Sequence, residues 1–155
     1  MKLTRVERHI IVKSNINWKA IDELCFKAKN LYNKANYIVR QTFIQTYKEV
    51  KEGKRKHTIY LNYYDVCKEA KNWEEYKNLP AQSSQQILKL LDQNWRIFFK
   101  SMKEWKKNPS KFKGKPKLPK YKKHDRRFPV IFTNQQIRLK GNYICFPKKS
   151  KVRPN

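Results

Sequence analysis

The stretch TRVERHIIVKSNINWKAIDELCFKAKNLYNKANYIV, Thr4–Val39, changes its hydrophobic period part-way along. In Thr4–Lys13, Val6, Ile10 and Val12 fall on alternate positions with Thr4 and Arg8, the two-residue period of a strand. Asn15–Asn17 breaks that pattern and offers Asn17 as an N-cap. From Trp18 the spacing becomes helical: Leu24, Cys25, Ala28, Leu31, Tyr32, Ala35 and Val39 recur at three- and four-residue steps. The stripe predicts a helix to near Val50, stopping before Gly53, about 45 Å long at 1.5 Å per residue. A helix of that length needs partners.

Two follow. Asn62 and Asp65 have the spacing of a capping box for a helix over Tyr63–Lys71. Pro80 suits a helix start and opens Ala81–Lys107, with Ser84, Ile87, Leu91, Trp95 (or Asn94), Phe98, Met102 and Trp105 along one seam. After Lys107 the helical period vanishes. Pro109, Pro116 and Pro119 hold Asn108–Lys120 extended, because proline fixes φ and lacks an amide donor. Strand signals resume at Phe128–Thr133, and Ile137–Phe146 reads as a hairpin around Lys140-Gly141-Asn142. One strand ahead of a bundle is unstable alone, so Thr4–Lys13 is expected to pair with the strands after residue 128. The fold class expected is α+β, a helical bundle inserted into a small β-domain. Its segments are 1–14 (first strand), 15–107 (helices), 108–127 (basic linker) and 128–155 (strands).

Charge indicates the partner. The chain carries 38 Lys and Arg against 12 Asp and Glu, a formal net charge of +26. Seventeen of those cations but one acid lie between Trp105 and Asn155, whereas ten of the acids lie at or before Asp92. An imbalance of this size speaks to partners rather than fold, and polyphosphate is the matching one. A plain disordered tail would lack the Phe112, Leu118, Tyr121 and Phe128 that punctuate the basic run. A membrane span would need roughly 20 apolar residues in a row, and none exists. MKLTRVERHIIVK has no signal-peptide core, so a cytoplasmic protein, nucleoid-associated when bound to DNA, is expected. Cys25, Cys67 and Cys145 form no CxxC pair and read as small packing residues.

Candidate contacts fall into two groups. Lys111, Lys113, Lys115, Lys117, Lys120, Lys122, Lys123, Arg126 and Arg127 are the phosphate candidates, spread along an extended path and expected to be disordered when unbound. Gln85, Gln86 and Lys89 near the start of Ala81–Lys107 form a second set, since amides can bond adenine bidentately in a major groove. Tyr60, Tyr63 and Tyr64 are able to stack on bases or to anchor their helix to the bundle. The adjacent acids Asp22–Glu23 and Glu74–Glu75 read as solvated faces rather than metal ligands.

Four passages carry a resemblance: ERHIIVKSN with AKNLYNKANYIVR; LPAQSSQQILKLLDQNWRIFFK; KGKPKLPKYKKHDRRF; and VIFTNQQIRLKGNYICFPK. In this order they resemble the N-terminal part of the transposon-encoded TnpB/OrfB family, RNA-guided DNA nucleases related to type V CRISPR effectors. The resemblance implies that the strands form an OB-like barrel, the wedge domain, and the inserted helices the recognition domain. It implies guide RNA and double-stranded target DNA as partners, with a separate nuclease-domain chain as a further candidate. Gln85, Gln86, Lys89, Thr133, Asn134, Tyr60 and Tyr63 would face the short DNA motif beside the target. Ala81 stands where some members have Lys, which bears on the motif read. The family's catalytic carboxylates with Mg²⁺, and its zinc ribbon, belong to a region that follows these segments, so no cofactor is expected here and the chain is expected not to cut DNA alone. The competing reading is a stand-alone RNA- or DNA-binding repressor from the same family.

Overall fold

A computed structural model describes residues 4–154. It is mainly helical with one small antiparallel sheet, an α+β chain. Helix α1 spans Trp18–Lys51, α2 Tyr63–Ala70, α3 Glu74–Lys77 and α4 Ala81–Lys107; strands β1 (Arg138–Lys140) and β2 (Tyr143–Cys145) follow. None of these helices is long and apolar enough to cross a membrane.

The helices follow local chemistry closely. Asn62 accepts from the amides of Tyr64 and Asp65, and Asp65 accepts from the Asn62 amide, so the capping box is complete. Pro80 precedes the first turn of α4, where a missing N–H costs nothing. The short α3 has no apolar period of its own and was not foreseen; it turns the chain between α2 and α4 while burying Tyr76.

The core joins α1, α2 and α4. Leu24, Ala28, Leu31, Tyr32, Ala35 and Val39 of α1 meet Ile87, Leu88, Leu91 and Trp95 of α4, with Val66, Cys67 and Ala70 of α2 closing one side. Trp95 is the largest fully buried side chain, and its indole N–H donates to Asn36 Oδ1 at 3.0 Å. Aromatic rings extend this centre: Phe43 lies 5.4 Å from Trp95 and Tyr60 lies 5.0 Å from Phe99. Cys25, Cys67 and Cys145 are free thiols.

The β expectations are only partly met. The hairpin forms, with Lys140 opposite Tyr143 and Arg138 opposite Cys145. Gly141 has φ 58° at the first turn position, where a two-residue hairpin loop favours glycine. Thr4–Lys13, however, is no strand: it makes no ladder among the described residues, and Val6 and Ile10 are 89% and 86% exposed. Phe128–Thr133 is not a strand either. Its Pro129 lacks an amide donor, and Phe128 is drawn onto α1 instead. The Phe128 amide donates to the Cys25 carbonyl at 3.1 Å, and the Phe128 ring packs 4.5 Å from that of Tyr32. With that segment turned onto α1, Thr4–Lys13 loses it as a strand partner. Asn17 holds the N-cap position of α1 as expected, but its own side chain makes no capping bond, and its amide donates to Asn15 Oδ1 at 2.8 Å. The Asn17 side chain instead holds the Arg153 backbone, donating to its carbonyl at 3.1 Å and accepting from its amide at 2.8 Å.

Candidate nucleic-acid interface

The basic segment 108–127 is docked on α1 through residues 119–124, not loose as expected. Polar α1 side chains grip its main chain in antiparallel order. Arg40 and Asn36 both donate to the Pro119 carbonyl, at 2.8 and 3.1 Å. Asn33 donates to the Lys122 carbonyl and accepts from the Lys122 amide, each at 2.8 Å. Lys29, only 3% exposed, donates to the His124 carbonyl at 2.9 Å. Asn33, Asn36 and Arg40 stand three and four residues apart, so one face of α1 presents them all. A main chain this short of donors at its prolines is otherwise hard to hold, and the α1 amides supply the missing partners. We call the docked segment the strap.

Because the strap is held by its backbone, most of its cations point outward. Lys111, Lys113, Lys115, Lys117, Lys120, Lys123 and Arg126 are exposed. Three of the nine candidates are already engaged, Lys115 among them with its ammonium 5.7 Å from the Trp105 ring. Arg127 grips Asp22 with two nitrogens, at 2.8 and 2.9 Å, and that hydrogen bonding holds the Asp22 carboxyl below its ordinary value despite partial desolvation. Lys122 lies 5.1 Å from the Tyr32 ring and 5.4 Å from that of Phe128, a cation–π placement.

The structure joins the start of α4 to the FTNQQI segment, but through Gln82 and Ser83 rather than the candidates Gln85, Gln86 and Lys89. Thr133 Oγ1 donates to Gln82 Oε1, and its amide donates to Gln136 Oε1 at 2.9 Å. Gln136 donates in turn to Ser83 Oγ at 3.2 Å, and Gln82 to Gln135 at 3.2 Å. Asn134 stays exposed at the tip of this turn. Beside it lies a cleft of ≈ 600 Å³ whose walls include Gln82, Gln135, Gln136, Arg138 and Lys148. Sequence reading missed Gln82, Gln135 and Gln136. Their signal was the recurrence of amides in AQSSQQ and TNQQ, whose bonded members Gln82 and Gln135 stand 53 positions apart with no visible link between them.

Other candidates are set differently. Gln85 and Gln86 are half-buried. Burial pushes the Tyr76 hydroxyl up, and hydrogen bonding to Gln85 partly offsets it. Lys89 is exposed, its ammonium 5.5 Å from the Tyr63 ring. Tyr60 belongs to the bundle: its hydroxyl donates to Asp92 Oδ1 at 2.7 Å, and burial with that carboxylate drives its pKa far above the ordinary 10.0. Tyr63 is half-buried and its amide also donates to Asp92, at 3.0 Å. Tyr64 is exposed beside it. Lys89 is joined at helical spacing by Arg96, Lys100, Lys103 and Lys107, which the sequence reading did not single out; all five are exposed.

The carboxylates do not make a metal site. Among the described residues no three His, Cys, Asp or Glu side chains gather where they could share an ion. Asp22 is taken by Arg127 and Glu75 by Lys34 at 2.7 Å, while Glu23 and Glu74 face solvent. These residues do not fit Mg²⁺ or Zn²⁺.

Compared with protein-family models, with curated proteins and with solved structures, the chain finds no match in any of the three.

Proposed function

We propose that this chain is the nucleic-acid-binding, wedge-plus-recognition part of a TnpB-like, transposon-associated RNA-guided DNA endonuclease. In this reading it holds a guide RNA and reads a short motif on double-stranded DNA next to the target. The strap carries the RNA backbone. The amide cluster of Gln82, Thr133, Gln135 and Gln136, with exposed Asn134 beside it, meets base edges. The hairpin β1–β2 and Thr4–Lys13 belong to an OB-like barrel, and the exposed apolar residues of both are the surfaces such a barrel would bury. The chain binds; it does not cut.

One observation carries this reading: the strap is fixed through its main chain at Pro119, Lys122 and His124, and its seven exposed cations make no ion pair among the described residues. Like charges so arranged repel one another, and a polyanion relieves that repulsion while releasing its own counterions. If all seven engage phosphates, log affinity should fall with log salt at a slope of about −5 to −6.

The test is to purify the chain from its host at low ionic strength and sequence the RNA that accompanies it. One dominant structured transcript is expected. Absence of any bound RNA would refute the reading, and a population matching bulk cellular RNA would refute the guide assignment.

A further inference from the structure

Between α4 and the strap runs an open groove of ≈ 260 Å³ that no part of the reading above assigns. Its walls are dissimilar. Ile97 and Phe98 of α4 with Pro116 and Pro119 of the strap supply its apolar lining. Ile97 is 54% exposed although it sits on a helix whose opposite face is the core. Polar atoms stand at defined places between the walls. Asn94 uses its amide to donate to the Tyr32 hydroxyl at 3.0 Å, which leaves its carbonyl oxygen as an acceptor, and Ser101 adds a hydroxyl. Lys117 and Lys120 rise from the strap side, both exposed, and no carboxylate lines the groove.

This combination suits one ligand chemistry. An apolar lining accepts the face of a base, and cations on one rim accept phosphates on either side of it. The volume lies just below the lower range of small-ligand sites, about 300 Å³, so it fits a nucleoside and excludes a duplex. A base inside a duplex presents no free face, so the strand must be single. An acceptor and a hydroxyl at the groove suit a ribose 2′-OH, which DNA lacks.

We propose that this groove is a nucleotide subsite for single-stranded RNA, in which one unstacked base lies between Ile97 and the strap prolines and its flanking phosphates rest on Lys117 and Lys120. The proposal builds on the reading of the chain as RNA-binding and adds where, and in what form, a strand is held.

The experiment uses the full chain with three fluorescent probes of equal length: oligo(U) RNA, oligo(dT) DNA and an RNA duplex. Two variants leave the charge unchanged. Ile97→Ser removes part of the apolar lining, and Ser101→Leu fills the groove; thermal melting checks that each folds. Each should weaken oligo(U) binding about tenfold, the scale of losing one base contact, while duplex affinity changes less than about twofold. Equal losses on oligo(U) and the duplex, or no loss on either, overturn the subsite while leaving the wider binding function intact. Equal losses on oligo(U) and oligo(dT) overturn the assignment to RNA. If the parent chain binds none of the three probes, the subsite and the RNA-binding function fall together.

Discussion

Asn33→Ala should release the strap without unfolding the bundle. The Asn33 side chain makes two hydrogen bonds to Lys122, one to its carbonyl and one from its amide, both at 2.8 Å. Each such bond contributes about 1 kcal/mol net, so local opening of the strap should become easier by about 2 kcal/mol, roughly a 30-fold change at 1.4 kcal/mol per tenfold. The helices keep their core, because Asn33 lies at the edge of the Leu31–Ala35 stripe and is only half-buried. Amide hydrogen exchange reads the two events separately. Protection at Lys122 and its neighbours should fall by about that factor, while amides around Leu91 and Trp95 keep parental rates. If Lys122 exchanges no faster in the variant, its amide is not held by Asn33, and the account of a backbone-anchored strap is wrong.

Three other expectations follow from the same geometry. Trp95→Ala should cost about 3–5 kcal/mol in denaturant unfolding, since it empties the centre of the core and leaves Asn36 Oδ1 without its indole donor; a cost below about 1 kcal/mol would show the centre to be elsewhere. Tyr60 should resist alkaline titration. Its folded pKa is raised, so its contribution to stability is complete below the ordinary value of 10.0 and declines as pH rises beyond it; a phenolate absorbance counting every tyrosine before unfolding would contradict this. Asp22→Asn should free Arg127, strengthening RNA binding and steepening the salt slope by about 1. The same pair should support the fold above the ordinary carboxyl value of 3.8 and weaken as pH falls through the lowered Asp22 value. Melting curves that respond identically to acid in parent and variant would remove Asp22 from that account.

How much was legible in the sequence depended on the range of the interactions. The capping box at Asn62 and Asp65 acts over three residues, and it was readable from spacing alone. So was α4, where Pro80 marks the start and the apolar seam repeats to Trp105. The hairpin around Gly141 is equally local. Thr4–Lys13 shows the limit: a two-residue period records a tendency to extend, but a strand needs an edge, and Phe128–Thr133 gave its edge up to α1. The strap failed for a related reason. Its anchors Asn33, Asn36 and Arg40 lie about 80–90 residues earlier in the chain and look like ordinary polar residues on a helix surface. Asn17 was readable as the N-cap that opens α1, but its side chain bonds Arg153 across 136 positions, a distance no local rule spans. In the interface, the cations were plain from composition. The linkage of Gln82 and Ser83 to Thr133 and Gln136 was not, because each amide cluster in isolation is also what a solvated turn would contain.

Lys29 gives the molecule an internal gauge. Alone among the lysines of the described residues its side chain is sealed, tucked beneath His124 with its ammonium 3.9 Å from the centre of the Phe26 ring. Amine-acylating reagents will therefore reach its neighbours on the surface and pass it by for as long as the covering chain stays in place. The extent of labelling at that one position, measured by mass spectrometry, reports how often the cover lifts, in the apo protein and beside any bound nucleic acid alike.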